Sequence, residues 1–329
     1  MTAMGGLLVA ILALGATAPA AGQAAPAAEE RQVVVVILGA GGTQEYGAQF
    51  AEWEGLWRQA CEKGSARYVA VGLDEEAGSS DRARVQRVLA DEAQQTTAAL
   101  WLVLIGHGTY DGRTAKFNLR GPDLSADDLA EWLEPIANRV AIINTGSSSA
   151  PFLKRLSGPG RVVITATKSA FEQNFARFGR FLAEAIVEPQ ADLDKDGQTS
   201  LLEAFLTASH QVSEFYAAAG RLATEHALLD DNGDTLGTPA DWFRGIRPVQ
   251  KASDGASLDG YRAHQFHLVY SDLEAQMPAT LRARRDQIEL EVMKLRDAKA
   301  TYREDEYFAK LEALLYEIAQ VYERTEEPD

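Results

Sequence analysis

Apolar and polar positions follow two alternating periods along this chain. QVVVVILG (32–39) is apolar at nearly every position, and so are AALWLVLIG (98–106), RVAIIN (139–144) and RVVITAT (161–167). ARYVAVGL (66–73) is a fifth run of the same kind. Between them the spacing turns helical. Phe50, Trp53, Trp57 and Cys61 recur at three- and four-residue steps. Asp81 to Gln94 places Val85, Val88 and Leu89 on one face. Ser125 is placed to N-cap ADDLAEWLEPI, because its hydroxyl can accept from a free amide of the first turn. A short helix is predicted around Phe152 to Leu156, and a longer one over Phe175 to Val187. Strands apolar on both faces, separated by helices, predict an α/β fold with a mostly parallel sheet covered on both sides.

Two segments break this rhythm. AHQFHLV (263–269) alternates like an edge strand, which would leave His264 and His267 as a surface pair. From about Pro278 the composition turns to Glu, Arg, Lys, Leu and Ala. Ile288, Val292 and Leu295 step by four and three, and Tyr307, Leu311, Leu314, Ile318 and Val321 do likewise. With a break near Thr301 to Asp305, residues 278–329 read as an antiparallel helical hairpin with a coiled-coil-like seam. Such a hairpin docks on the body (32–270) or offers a surface to a partner.

The first thirty residues differ from the rest. Met4 to Ala21 is uncharged and mostly apolar, and Ala18-Pro19-Ala20 fits a small-x-small cleavage rule. Residues 1–24 resemble a secretory signal peptide, with 25–31 as linker. No Lys or Arg precedes the run, so an uncleaved membrane anchor is the alternative, although the run is short for a span. The reading is an exported, periplasmic protein with no membrane span after cleavage. A net charge of −16, from 48 acids against 32 bases, repels nucleic acid and anionic lipid and excludes both as partners. Cys61 is the single cysteine, which excludes an internal disulfide and a multi-cysteine zinc site. Its helical spacing predicts a buried, inert thiol.

Open parallel sheets bind ligands beyond the C-terminal ends of their strands. His107-Gly108 follows one such end, and Asn144-Thr145-Gly146-Ser147-Ser148-Ser149 follows another about forty residues later. After the last apolar run come Ala166-Thr167-Lys168-Ser169 and Glu172-Gln173-Asn174-Phe175-Ala176. Over Gln32 to His267 this layout resembles the caspase-like clan CD cysteine peptidases, and most closely the legumain family, peptidase family C13. The resemblance implies that fold, a peptide-shaped cleft, His107 as a site residue and a nucleophilic cysteine at position 146. This chain has Gly146 there. It therefore reads as a bacterial member lacking the catalytic cysteine. A cysteine is partly thiolate and strongly nucleophilic at neutral pH, whereas a serine needs a base within reach. The Gly108 N–H is the expected oxyanion donor.

The residues leave rival readings open. Ser147 or Ser148 acting with His107 would make a serine-dependent hydrolase. Gly146-Ser147-Ser148-Ser149-Ala150 is one residue short of a nucleophile elbow centred on Ser148, with His210 or His226 downstream. Gly39-Ala40-Gly41-Gly42 falls short of a dinucleotide loop, because the third glycine would be Gln44.

DLDKDGQTSLLE (192–203) matches the twelve-residue EF-hand loop. Asp192, Asp194 and Asp196 take positions 1, 3 and 5, and Gly197 allows the turn at 6. Gln198 offers its carbonyl at 7, Ser200 stands at 9, and Glu203 supplies the carboxylate at 12. No second such loop pairs with it, which predicts a structural Ca2+ site rather than a sensor. LLDDNGDTLG (228–237) is a second acidic turn, with Asp230, Asp231, Asn232 and Asp234 around Gly233. An Asn-Gly turn accounts for its residues; a turn that flanks the His107 cleft is the alternative. Together these features point to an exported, calcium-stabilised pseudo-peptidase that binds a peptide or protein.

Overall fold

The computed structural model describes residues 31–74, 78–95 and 99–326. The leader reading over residues 1–24 and most of the linker lie outside them. The first strand, β1 (Val33–Leu38), is followed by α1 (Gln44–Lys63), β2 (Arg67–Val71), α2 (Asp81–Glu92) and β3 (Leu100–Ile105). A small antiparallel sheet comes next: β4 (Gly108–Tyr110), β5 (Ala115–Phe117) and β6 (Leu124–Ser125). Then follow α3 (Ala126–Leu133), β7 (Val140–Asn144), α4 (Ala150–Leu156), β8 (Arg161–Thr165) and α5 (Phe178–Val187). The second half contains α6 (Leu201–Ala218), β9 (Leu228–Asp230), β10 (Phe243–Arg244) and β11 (Arg247–Pro248). It ends in α7 (Tyr261–His264), α8 (Asp272–Gln276), α9 (Ala279–Asp297) and α10 (Glu304–Glu326).

The six-stranded sheet has the order β2-β1-β3-β7-β8-β9. Every pair is parallel except β8 with β9. Successive side chains of a strand point to opposite faces, and both faces here are dry. Val34, Val36, Trp101, Val103 and Ile143 pack with Phe50, Trp53 and Trp57 of α1, Leu182 of α5 and Phe205 of α6. Val33, Val35, Leu102, Leu104 and Ile142 pack with Leu89 of α2, Leu129 of α3 and Phe152 of α4.

Local chemistry sets the helix starts. Ser125 and Asp128 form the capping box of α3. The helix predicted from Phe175 begins at Phe178, because the buried Glu225 carboxylate accepts from the Arg177 and Phe178 amides. The segment 263–269 is not an edge strand. Asp231 accepts from the Gly260, Arg262 and Ala263 amides and winds the chain into α7. Beyond it, His267 makes a single antiparallel bridge to Ser200. The expected surface pair is also corrected: His267 is buried at 6% exposure, and burial, aided by His264 and Arg285, lowers its pKa to about 3.

The C-terminal hairpin is present as α9 and α10, with Ile288, Val292, Leu295, Tyr307 and Val321 buried. It joins the body through charge. Arg139 reaches Asp286 at 3.0 Å and the Gln265 carbonyl at 3.1 Å. Arg285 reaches Glu274 at 2.5 Å and Asp286 at 2.7 Å, all three side chains below a tenth exposed. Arg285→Ala removes one cation from two buried carboxylates that keep Arg139 and Arg282, and the expected cost is about 1.5–3 kcal/mol. Urea unfolding measures it; a loss below about 1 kcal/mol would mean the network is solvated.

Candidate functional site

The parallel register of β3 with β7 pairs Leu104 with Asn144, so His107 and Gly146 emerge at the same edge of the sheet. The turn after β7 is held locally. Thr145 donates to the Leu104 carbonyl through its amide at 3.0 Å and its hydroxyl at 2.8 Å. Asn144 Oδ1 accepts from the Gly146 amide at 3.0 Å. A Cβ built on Gly146 would stand 3.2 Å from that oxygen and 3.4 Å from the Gly108 nitrogen. Position 146 thus faces the expected oxyanion donor, and its glycine carries no nucleophile.

Ser147 fills part of the space. Its hydroxyl accepts from the Gly108 amide at 3.3 Å and donates to the Gly108 carbonyl at 3.1 Å. Only glycine fits at 108, since a Cβ there would lie 2.0 Å from the Ser147 carbonyl oxygen. The serine next to Gly146 therefore occupies the amide expected from sequence as the oxyanion donor, and it makes no bond to His107. Ser148 adopts φ +54°, a left-handed conformation rare for serine. Its amide donates to the Glu172 carbonyl at 2.8 Å, while its buried Oγ has no hydrogen-bond partner. Ser149 is tied to Thr167.

His107 sits in an aromatic box. Tyr46, Phe50 and Phe175 place ring centroids 4.9, 5.1 and 5.8 Å from it. Nε2 lies 3.3 Å from the Gly41 carbonyl, so the neutral ring carries its proton there and leaves Nδ1 as the basic nitrogen. Burial lowers its pKa against the raising effect of Gly41. Cys61 cannot supply the absent thiol, being buried in α1 with its pKa pushed up to about 12 by burial and then by Glu62.

A pair that sequence reasoning missed lies nearby. His226 Nδ1 meets Glu172 Oε1 at 2.5 Å, and Glu172 is the residue whose carbonyl holds Ser148. The two are 54 positions apart, and only the antiparallel β9 returns His226 to this edge, just before Leu228 pairs with Thr165. The same strand carries the second acidic turn the other way: Asp230 pairs with Val163, deeper in the sheet. That turn therefore does not flank the His107 cleft, the alternative that the sequence left open. Its backbone is held instead by a carboxylate from a later segment. Asp259 accepts from the Asp231 and Asn232 amides, and burial with Asp231 pushes its pKa up to about 8.

In the EF-hand-type loop, the Asp192, Asp194 and Asp196 oxygens lie within 4.8 Å of one another. Asp192 accepts from the Lys195 and Gly197 amides, and Gly197 turns at φ +90°. Buried Glu203 accepts from Leu193 and Asp194 amides and from Ser200. Gln198 Oε1 accepts from the Ser271 amide, and His264 Nε2 meets Asp194 at 3.0 Å. Oxygen-only donors suit a hard cation. Burial, then neighbouring Asp194 and Asp192, raise the Asp196 pKa, a repulsion that a divalent ion would relieve.

No family model matches the chain, and no curated protein matches it. Among solved structures it is similar to the Drosophila initiator caspase Dronc, with a TM-score of 0.42 and 13% identity over 62% of this chain and 81% of that one. It is also similar to caspase-1 from Spodoptera frugiperda, with a TM-score of 0.41 and 8% identity over 64% and 91%. At these scores the reading of the site rests on its own residues.

His107 is expected to titrate below its ordinary value of about 6.5. Because protonation then favours the unfolded chain, His107 weakens stability as pH falls through about 6.5. Imidazole proton NMR measures the midpoint; a value above about 7 would refute the aromatic-box account.

Proposed function

We propose that this chain is an exported peptidase-fold protein of the caspase and legumain kind that binds a peptide or protein without cleaving it. The observation that carries this reading is the Ser147 hydroxyl on the Gly108 amide, beside a glycine where that fold would place its thiol. The rim fits a peptide ligand. Phe171 is 78% exposed and meets Tyr110 edge-on at 5.4 Å, an anchor of the aromatic kind that dominates binding surfaces.

A second reading, a serine hydrolase, draws on Ser148 with its left-handed backbone and the adjacent Glu172–His226 pair. Ser148 Oγ is closed to solvent and meets no base, which favours the first reading. Fluorophosphonate labelling separates them. Folded protein is expected to remain unlabelled; labelling lost in Ser148→Ala and His226→Ala would establish the hydrolase.

Calcium in the 192–203 loop belongs to the same proposal. Asp192, Asp194, Asp196, the Gln198 carbonyl, Ser200 and Glu203 would hold it, and the ion would supply charge neutralisation and stiffness. Ser200 and Gln198 bond to the segment leading to the hairpin, so the ion would brace that junction. Calorimetric titration should give one calcium per chain, weakened at least about ten-fold in Asp192→Asn. Absence of binding at millimolar calcium would remove the ion from the account.

A further inference from the structure

A cavity of about 620 Å³ opens between the body and the C-terminal hairpin. Its size falls within the range of small-molecule sites, roughly 300–1,000 Å³. The inner wall is apolar: Leu202 of α6, Leu258, Leu290 and Met293 of α9, and Tyr307 of α10. Elements from both parts of the chain are needed to form it.

The charges around this wall are unevenly satisfied. Arg247, Arg296 and Lys299 line it on one sign, Glu289 and Asp297 on the other. Asp297 is held by Lys251 at 2.9 Å. Glu289 has Arg285 at 3.7 Å and Gln265 at 3.4 Å. Lys299 lies over the Tyr307 ring, 5.1 Å from its centroid. The Arg247 and Arg296 side chains make no hydrogen bond or ion pair to any described residue. Both line the cavity together with Tyr261. Burial and Asp297 push that phenol up, and both guanidiniums oppose the shift. In a chain with 48 acids, two arginines left without a carboxylate at the edge of an apolar cavity are suited to an anion from outside. Guanidinium groups hold carboxylates by paired N–H donors.

We infer that this cavity binds an amphipathic carboxylate, with its apolar chain against Leu290 and Met293 and its head group between Arg247 and Arg296. The site is separate from the strand-end cleft and independent of whether that cleft is catalytic. The apolar wall supplies affinity through area removed from water, and the arginines select the charged head.

Calorimetric titration of the full chain with octanoate and with octanol tests this. Octanoate is expected to bind one to one, at least about ten-fold tighter than octanol. The Arg247→Ala/Arg296→Ala double variant, changed only at exposed positions, should lose that preference while keeping its melting temperature. Met293→Trp, which fills the wall, should abolish binding of both. Equal binding of acid and alcohol would overturn the carboxylate assignment. Octanoate binding that survives Met293→Trp would place the ligand elsewhere and overturn the cavity. If Met293→Trp fails to fold, the arginine variant alone decides.

Discussion

The parallel pairing of β3 with β7 determines what this molecule can do. It brings two strand ends to one edge and sets Leu104 opposite Asn144. Everything at the candidate site is measured from that rung. Thr145 and Asn144 fold the turn back by bonding to Leu104 and Gly146, and the turn then presses Ser147 onto Gly108. A hydroxyl that both accepts from an amide and donates to the carbonyl of the same residue is satisfied at both ends. It has no spare proton to give a base and leaves no spare amide for an oxyanion.

The same edge gathers further polar and aromatic groups. His107 is held neutral by burial among Tyr46, Phe50 and Phe175. Glu172 bonds Ser148 through its backbone and His226 through its carboxylate. These contacts hold the loop after β8 against the turn after β7. A left-handed serine costs on the order of 1–3 kcal/mol, and the Glu172 carbonyl on its amide helps to hold it. Far from this edge, the acidic loop at 192–203 and the Arg285 network secure the segment that carries the hairpin. The protein thus has a rigid sheet edge at one place and a charged joint at another.

How much of this could be read from the residues depends on the range of the contacts. The five parallel strands are legible because a run apolar on both faces has few alternatives. The α3 start at Ser125 was visible because its cap is local. β9 was not: three residues, Leu228 to Asp230, acquire strand structure only by pairing with β8. The β4-β5-β6 sheet was hidden by polar, very short strands. The helix predicted from Phe175 starts three residues later because the carboxylate that holds its first amides, Glu225, lies far along the chain. His267 read as a surface residue because its burial comes from elements packed over it. At the site, the positions of His107 and Gly146 followed from strand ends, whereas the Ser147–Gly108 pair and the Glu172–His226 pair needed the folded chain.

The account turns on whether the Gly108 amide is already occupied, and residue-resolved hydrogen exchange measures that directly. The Gly108 amide should be protected in the folded protein and should exchange at least about ten-fold faster in Ser147→Ala, with the Leu102 and Leu104 amides of the preceding strand, β3, unchanged. A Gly108 amide that exchanges freely in the unaltered chain, or one indifferent to loss of the Ser147 hydroxyl, would contradict the account and leave the donor open for chemistry.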